Sequence, residues 1–400
     1  MQTQAKIASV APTPGEMIAR ARAMIPKLAA RAAQGERERC IPKETIADLQ
    51  AAGFFRVLQP RRWGGYEMDV PTCFDIQMTL AEGDMSVAWV YGVVGLHPWL
   101  LAICDDRVAQ EIWGRDDTTL MCSSLMPVGA ATPVDGGYRL SGRWKYSSGS
   151  DHCAWAILGG TTAGTPGDSG NRRFFLLPRS DYQIEDTWHV PGLKATGSND
   201  IVVTDVFVPA YRTQSAYDNF LGKGPGQAVN TSELYRLPFG QVFFRGVSNA
   251  SIGALQAMLD AVLAYGKSRT NRAHGGMASD DPLVQLTCAE AAAAIDEMKT
   301  VLYRNFRNME AYAARGEMPP VEERLKYKFH SALAAERCSQ FAARLFKTTG
   351  AAGLFADQPF GRILADINAA RQHVSNQFDA SGRNWGAALF GSTDNKDFMI

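Results

Sequence analysis

The stretch LSGRWKYSSGSDHCAWAILG, residues 140–159, sets a strand-like alternation beside a cluster of small hydroxyl residues and two tryptophans. Alternation at period two reads as a half-buried strand, because successive side chains point to opposite faces of a sheet. The same period recurs in YRLSGRWKYSS (138–148), RRFFLLP (172–178) and DIVVTDVFVP (200–209), with Gly, Pro, Asp and Ser clusters between the runs. Residues 120–211 therefore read as β.

On both sides the period changes. Apolar residues recur at three- and four-residue steps over about 13–113, most clearly in 42–58 and 74–112, which predicts helices. Beyond a polar, glycine-containing connector at 217–232, long helices are expected over about 241–269, 283–315, 320–349 and 357–385. In the third of these, Leu325, Phe329, Leu333, Phe341 and Leu345 fall on or near one stripe, and Gly350 is placed to end it. The expected architecture is α+β, with an N-terminal all-α domain (1–119), a central β domain (120–225) and a C-terminal α-helical bundle (226–400). Helix, then sheet, then helix argues against the alternating pattern of a parallel nucleotide-binding sheet. No GxGxxG or P-loop joins a strand to a helix, so a resident NAD(P)H or ATP site is not supported. Electrons for any redox chemistry would have to come from elsewhere.

Composition narrows the partners. Lys and Arg total 41 and Asp and Glu total 41, which leaves no net field for nucleic acid or an anionic membrane. The apolar run 90–104 is interrupted by His97 and Pro98, and the N-terminus lacks an apolar signal core, so a cytoplasmic protein is expected. Cys40, Cys73, Cys104, Cys122, Cys153, Cys288 and Cys338 are scattered and form no CxxC pair, which points to buried thiols rather than zinc or disulfides. His152, His189, His274 and His330 have no metal-like spacing, and no metal site is assigned.

Six segments in order carry a resemblance: IPKETIADLQAAGFFRVLQPRRWGGYEMD (41–69), GDMSVAWVYGVVGLHPW (83–99), SGRWKYSSGSDHCAW (141–155), WHVPGLKATGSNDIVVTDVFVP (188–209), AYGKSRT (264–270) and TGAAGLFADQPFGRILADINAARQHV (349–374). They resemble the acyl-CoA dehydrogenase fold. Within it they are similar to the oxygenase components of two-component flavin monooxygenases that hydroxylate aromatic compounds, of the p-hydroxyphenylacetate hydroxylase kind. The resemblance implies a central β-barrel or sandwich and a C-terminal four-helix bundle that assembles as a homotetramer. It also implies reduced FMN or FAD delivered by a separate NAD(P)H-dependent reductase, dioxygen as co-substrate, and a flavin hydroperoxide that oxidises a phenolic or indolic substrate. A dehydrogenase of this fold needs a carboxylate base on a late helix, and 350–400 contains no glutamate. An acyl-CoA dehydrogenase with its base elsewhere, an N- or S-oxygenase, and a catalytically silent flavoprotein are the alternatives.

The candidate residues follow from chemistry and resemblance together. His373 is the leading catalytic residue, as a base or peroxide partner near neutral pH, against a plain helix-surface histidine. His97, in an apolar run beside Trp99, is expected to orient substrate, against a core histidine bonded to a carbonyl. Asp379 is six residues from His373 and reaches it only through a bend. Ser147 and Ser148 are expected to hydrogen-bond to the flavin ring, with only one of them facing it, and Trp144 to pack on that ring, against a core tryptophan. Thr196, Gly197 and Ser198 would place donors and a close backbone at the flavin's polar edge. By resemblance Arg269 would pair with the flavin phosphate, and Arg245, in an apolar context, would need an anionic or carbonyl partner such as the flavin itself.

Overall fold

The computed structural model describes residues 11–162, 171–270, 276–394 and 400. His274 lies outside them. The N-terminal part consists of α1 (Pro14–Glu38), α2 (Lys43–Ala51), α3 (Val70–Ala81), α4 (Met85–Val94), α5 (His97–Ile103) and α6 (Asp106–Trp113). Thr13 and Glu16 close a capping box on α1, and the Asp84 carboxylate accepts the Ser86 and Val87 amides at the start of α4. Every residue of α4 and α5 is buried, so these helices lie between the other layers rather than on the surface. The expected helix over 74–112 is thus four shorter ones. Gly83–Asp84 and Pro98 stand where the segments begin anew, as helix-starting residues do.

The β region holds β1 (Met121–Val134), β2 (Gly137–Ser147), β3 (Trp155–Thr162), β4 (Arg172–Pro178), β5 (Gln183–Glu185), β6 (Asn199–Pro209) and β7 (Thr213–Ser215). They form one mixed sheet in the order β5-β6-β2-β1-β3-β4-β7. Only β1 and β3 run parallel; the other neighbours are antiparallel. Short β5 and β7 are the edges and do not pair with each other, so among the described residues the sheet is open rather than a closed barrel. The pairing of β2 with β6 slips between Trp144 and Ser147, and Tyr146 there takes φ +67°. This bulge re-aims the end of β2.

The C-terminal part consists of α7 (Ala216–Phe220), α8 (Phe239–Gly246), α9 (Asn249–Ser268), α10 (Pro282–Ala314), α11 (Val321–Thr348), α12 (Phe360–Arg371) and α13 (Phe378–Leu389). α11 packs on α9, α10, α12 and α13, while α9 also packs on α3, so one continuous core joins both helical regions to the sheet. Two helices expected to be continuous are broken. Between α8 and α9 the freed carbonyls are captured by side chains: Gly246 O by the Gln77 amide at 2.6 Å, Val247 O by the Asn376 amide at 2.8 Å and Phe244 O by the Ser331 hydroxyl at 2.9 Å. Polar groups from three other elements thus satisfy a break that hydrophobic periodicity does not reveal. The second break separates α12 from α13 by the 3-10 turn Val374–Asn376, and His373 stands at its start.

Candidate active site

The second break and the end of β2 meet against α4. The His373 ring lies beside Trp89 (ring centroids 5.7 Å apart, planes at 67°) and Phe243 of α8 (6.2 Å, 58°). Its Nδ1 accepts the Ser375 backbone N–H at 3.1 Å, which caps the 3-10 turn. The turn itself is held by Asn376, whose side-chain amide donates to both Val247 O and Ala370 O at 2.8 Å. Burial against the two aromatic rings pushes the imidazole pKa down to about 4. The ring is therefore neutral at neutral pH, and with Nδ1 acting as an acceptor its proton sits on Nε2. The free position of the ring is thus an N–H donor, not a lone pair.

On the other side of Trp89 runs a string of hydroxyls. Trp89 Nε1 donates to Ser148 Oγ at 3.1 Å, Ser148 and Ser198 share a hydrogen bond of 2.7 Å, and Ser198 and Thr196 share another of 2.7 Å. Thr196 Oγ1 donates to Leu193 O at 2.9 Å. All three hydroxyl residues are buried. The turn carrying Ser148 is fixed by Gly149, whose N–H donates to Thr196 O at 2.8 Å and whose φ is +72°. A Cβ on Gly149 would stand 2.7 Å from the Val90 side chain of α4, so only glycine permits both the conformation and the approach. Behind the string Leu193, at φ +53°, gives its N–H to the Asp366 carboxylate at 2.6 Å. Burial pushes the Asp366 pKa up to about 7. This carboxylate faces the Leu193 backbone, with Asp84 and Arg362 as its charged neighbours.

The structure sorts the expected residues. Ser148 is on the string, while Ser147 is fully buried on the opposite side, next to Cys122 inside the sheet, and does not reach Trp89 or His373. Thr196 and Ser198 lie on the string, where their hydroxyl protons are engaged and do not serve as free donors. Gly197, at φ +52°, turns the chain between them. Trp144 is not a ring-stacking residue: it is fully buried, donates to Gly159 O at 2.6 Å and fills the space over Gly129 and Gly142. His97 is likewise a core histidine. Its Nδ1–H donates to Met121 O at 2.6 Å, its Nε2 accepts from Ser123 at 2.9 Å, and burial brings its pKa down to about 4, so both nitrogens tie α5 to β1. Asp379 is exposed in the first turn of α13 and forms no relay with His373, whose Nδ1 is taken by Ser375.

The two arginines differ. Arg269 donates to Thr349 O and lies over Tyr265, which ties 264–270 to the start of 349–374. Arg245 is buried in the helical interior near His330 and Cys338, and among the described residues its two terminal nitrogens have no hydrogen-bond partner. Sequence reasoning passed over Trp89, Phe243, Leu193 and Asn376. Trp89 lies within 83–99, but nothing in its spacing distinguishes it from core. An open polar cleft of about 420 Å³ is lined by Cys40, Asp151 and Asn199, among others, and by none of the string residues. The Cys40 thiol is pushed up to about 12 by burial and Asp151, which rules it out as a nucleophile despite His152 at 3.4 Å. No group of His, Cys, Asp and Glu suited to a metal ion occurs among the described residues.

Comparison with known proteins bears on this site. Residues 16–110 match the acyl-CoA dehydrogenase N-terminal domain and residues 246–378 its C-terminal domain. The chain is 36% identical over 374 residues to the flavin-dependent monooxygenase oxygenase subunit HsaA of Rhodococcus jostii, covering 92% of this chain and 97% of that protein. It is 32% identical over 379 residues to the oxygenase component of the FADH(2)-dependent resorcinol hydroxylase of a Rhizobium species, covering 90% of each. Its structure superposes on the crystal structure of 3-HSA hydroxylase from Rhodococcus sp. RHA1 with a TM-score of 0.90 at 34% identity, covering 96% of this chain and 99% of that one.

Proposed function

The chain belongs to the acyl-CoA dehydrogenase family and, within it, to the oxygenase components of flavin-dependent monooxygenases that act on aromatic compounds, and from this we propose how its site divides the work. The residues fit a reduced flavin. Trp89 and Phe243 supply aromatic walls, and Ser148 has a lone pair left after its two bonds in the string. Ser148 holds the flavin ring, and Arg269, at the junction of 264–270 and 349–350, holds its phosphate end. Bound reduced flavin, reacting with dioxygen, supplies the oxygen atom that is transferred.

The remaining work falls to the protein. The observation that carries the proposal is the His373 imidazole, neutral, capped through Nδ1 and flanked by two aromatic rings. Its Nε2–H donates a hydrogen bond to the oxygen substituent of an electron-rich aromatic substrate and so fixes which carbon faces the flavin. Trp89 and Phe243 exclude water from that bond, which strengthens it. A phenol, or an indole that carries an oxygen substituent, satisfies both demands: a flat apolar body and one oxygen that accepts. A separate NAD(P)H-dependent flavin reductase supplies the reduced flavin, and the C-terminal helices form a four-helix bundle through which a cytoplasmic homotetramer assembles.

The test supplies the purified chain with a flavin reductase, NADH, FMN or FAD and isotopically labelled dioxygen, and screens phenols and indoles by mass spectrometry. One label atom in a hydroxylated product is the expected result. Flavin reoxidation that releases only hydrogen peroxide across the panel, together with bleaching of bound flavin by an acyl-CoA, would overturn the proposal.

A further inference from the structure

The string from Trp89 to Leu193 has a direction. An indole nitrogen only donates and a carbonyl only accepts, whereas each hydroxyl has one proton and two lone pairs. Trp89 donates to Ser148 and Thr196 donates to Leu193 O, so the complete set of bonds requires Ser148 to donate to Ser198 and Ser198 to Thr196. Leu193 O also accepts from Trp188 Nε1 at 2.9 Å, and its N–H is held by Asp366, so this end of the string is pinned from two further sides. Turning the two inner bonds around would make Thr196 donate to Ser198 and would forfeit the Thr196–Leu193 bond. In its complete form the string leaves Ser148 with a lone pair and no proton to offer.

We infer that Trp89, Ser198 and Thr196 are specificity-determining residues that make Ser148 a one-way acceptor and thereby sort the redox states of the flavin. This rests on the reading of Ser148 as the residue facing the flavin's central ring. The discriminating atom is the central ring nitrogen: it carries a proton in reduced flavin and a bare lone pair in oxidised flavin. Reduced flavin donates to Ser148 and every bond in the string survives. Oxidised flavin either meets lone pair against lone pair or forces the string to reverse and give up its bond to Leu193. The net difference is one buried hydrogen bond, about tenfold in affinity in favour of the reduced form. An oxygenase that borrows its flavin gains from this, since the oxidised product is released for another round of reduction.

Thr196→Val keeps the shape of the side chain and removes the group that anchors the direction. In that variant Ser198 has no acceptor unless it turns to Ser148, and Ser148 is then free to donate to oxidised flavin. The experiment measures dissociation constants of oxidised and anaerobically reduced FMN and FAD for the wild type, Thr196→Val, Ser198→Ala and Ser148→Ala, by fluorescence and equilibrium dialysis without substrate. In the wild type the ratio of oxidised to reduced constants is expected to be about ten or more. In Thr196→Val it is expected to fall toward one, chiefly through tighter binding of oxidised flavin, a gain that a merely damaged fold does not produce. Ser198→Ala cuts the string at a second place and carries the same expectation should Thr196→Val fail to fold. An unchanged ratio in both variants, with reduced flavin weakened in Ser148→Ala, would overturn the directional string alone. No change in either constant in Ser148→Ala would overturn the placement of Ser148 against the flavin as well.

Discussion

If His373 acts as a donor, its replacements should part company in a definite order. The imidazole then has two separable jobs: Nδ1 caps the Val374–Asn376 turn by accepting the Ser375 amide, and in the proposed role Nε2–H donates to substrate. His373→Asn keeps the cap, because an asparagine oxygen is a good acceptor at such a position, but its amide is too short to stand where Nε2 stood. His373→Gln reaches that place with an N–H and weakens the cap. His373→Ala loses both: about 1 kcal/mol of local stability from the cap, and a donor hydrogen bond worth about 1–3 kcal/mol, or about five- to 150-fold in rate. The expected order of product-forming rate is wild type, Gln, Asn, Ala, and the expected order of melting temperature is wild type, Asn, then Gln and Ala. The imidazole pKa of about 4 means that the rate should not change with pH through the neutral range on account of this residue. The assay is hydroxylated product against hydrogen peroxide released, measured across pH with reduced flavin supplied. A base would behave otherwise: Gln as inactive as Ala, and an acid limb in the wild-type profile at pH 6–7 that is absent from the variants, would refute the donor role.

Three further perturbations address the surroundings. His97→Ala strands Met121 O and the Ser123 hydroxyl in a fully buried place and should cost about 3–5 kcal/mol in chemical denaturation. Because the folded pKa of His97 lies near 4, below its usual 6.5, the stability it contributes is complete above pH 6.5 and lost as pH falls toward 4; an activity defect with unchanged stability would return His97 to the site. Asp366 has the opposite sign. Its folded pKa of about 7 lies above its usual 3.8, so the folded chain binds the extra proton between those values and loses stability as pH rises through the window. Asp366→Asn retains an acceptor for Leu193 N and should raise the melting temperature more at pH 8 than at pH 5; equal shifts at both would contradict the assignment. Arg245 is a buried cation whose terminal nitrogens have no hydrogen-bond partner among the described residues, so Arg245→Met should be neutral or stabilising with flavin affinity unchanged. A loss of more than about 2 kcal/mol would mean that the guanidinium is paired in the assembled protein.

The sequence made the layers legible because each is written in a local period. Period two in 138–148 and 200–209 and steps of three and four in 283–315 and 320–349 became β2, β6, α10 and α11 with small shifts at the ends. The breaks were not legible, because the groups that stabilise them are remote. Nothing near Gly246 or Val247 announces that Gln77 and Asn376 will take their carbonyls, and these distant bonds split the expected helices and set His373 at the head of a turn. The site divides along the same line. His373 and Ser148 could be nominated by residue type and resemblance, whereas the reading of Trp144 and His97 as functional failed because a buried polar group looks the same in sequence whether its partner is a ligand or a carbonyl such as Gly159 O or Met121 O. Protonation is harder still. The direction of a hydroxyl string is fixed by its two ends, Trp89 and Leu193, which lie more than a hundred positions apart, and the tautomer of His373 by the backbone amide of Ser375. What the site donates and what it accepts is therefore a property of the folded network, and substitutions at its ends should alter the chemistry of residues they do not touch.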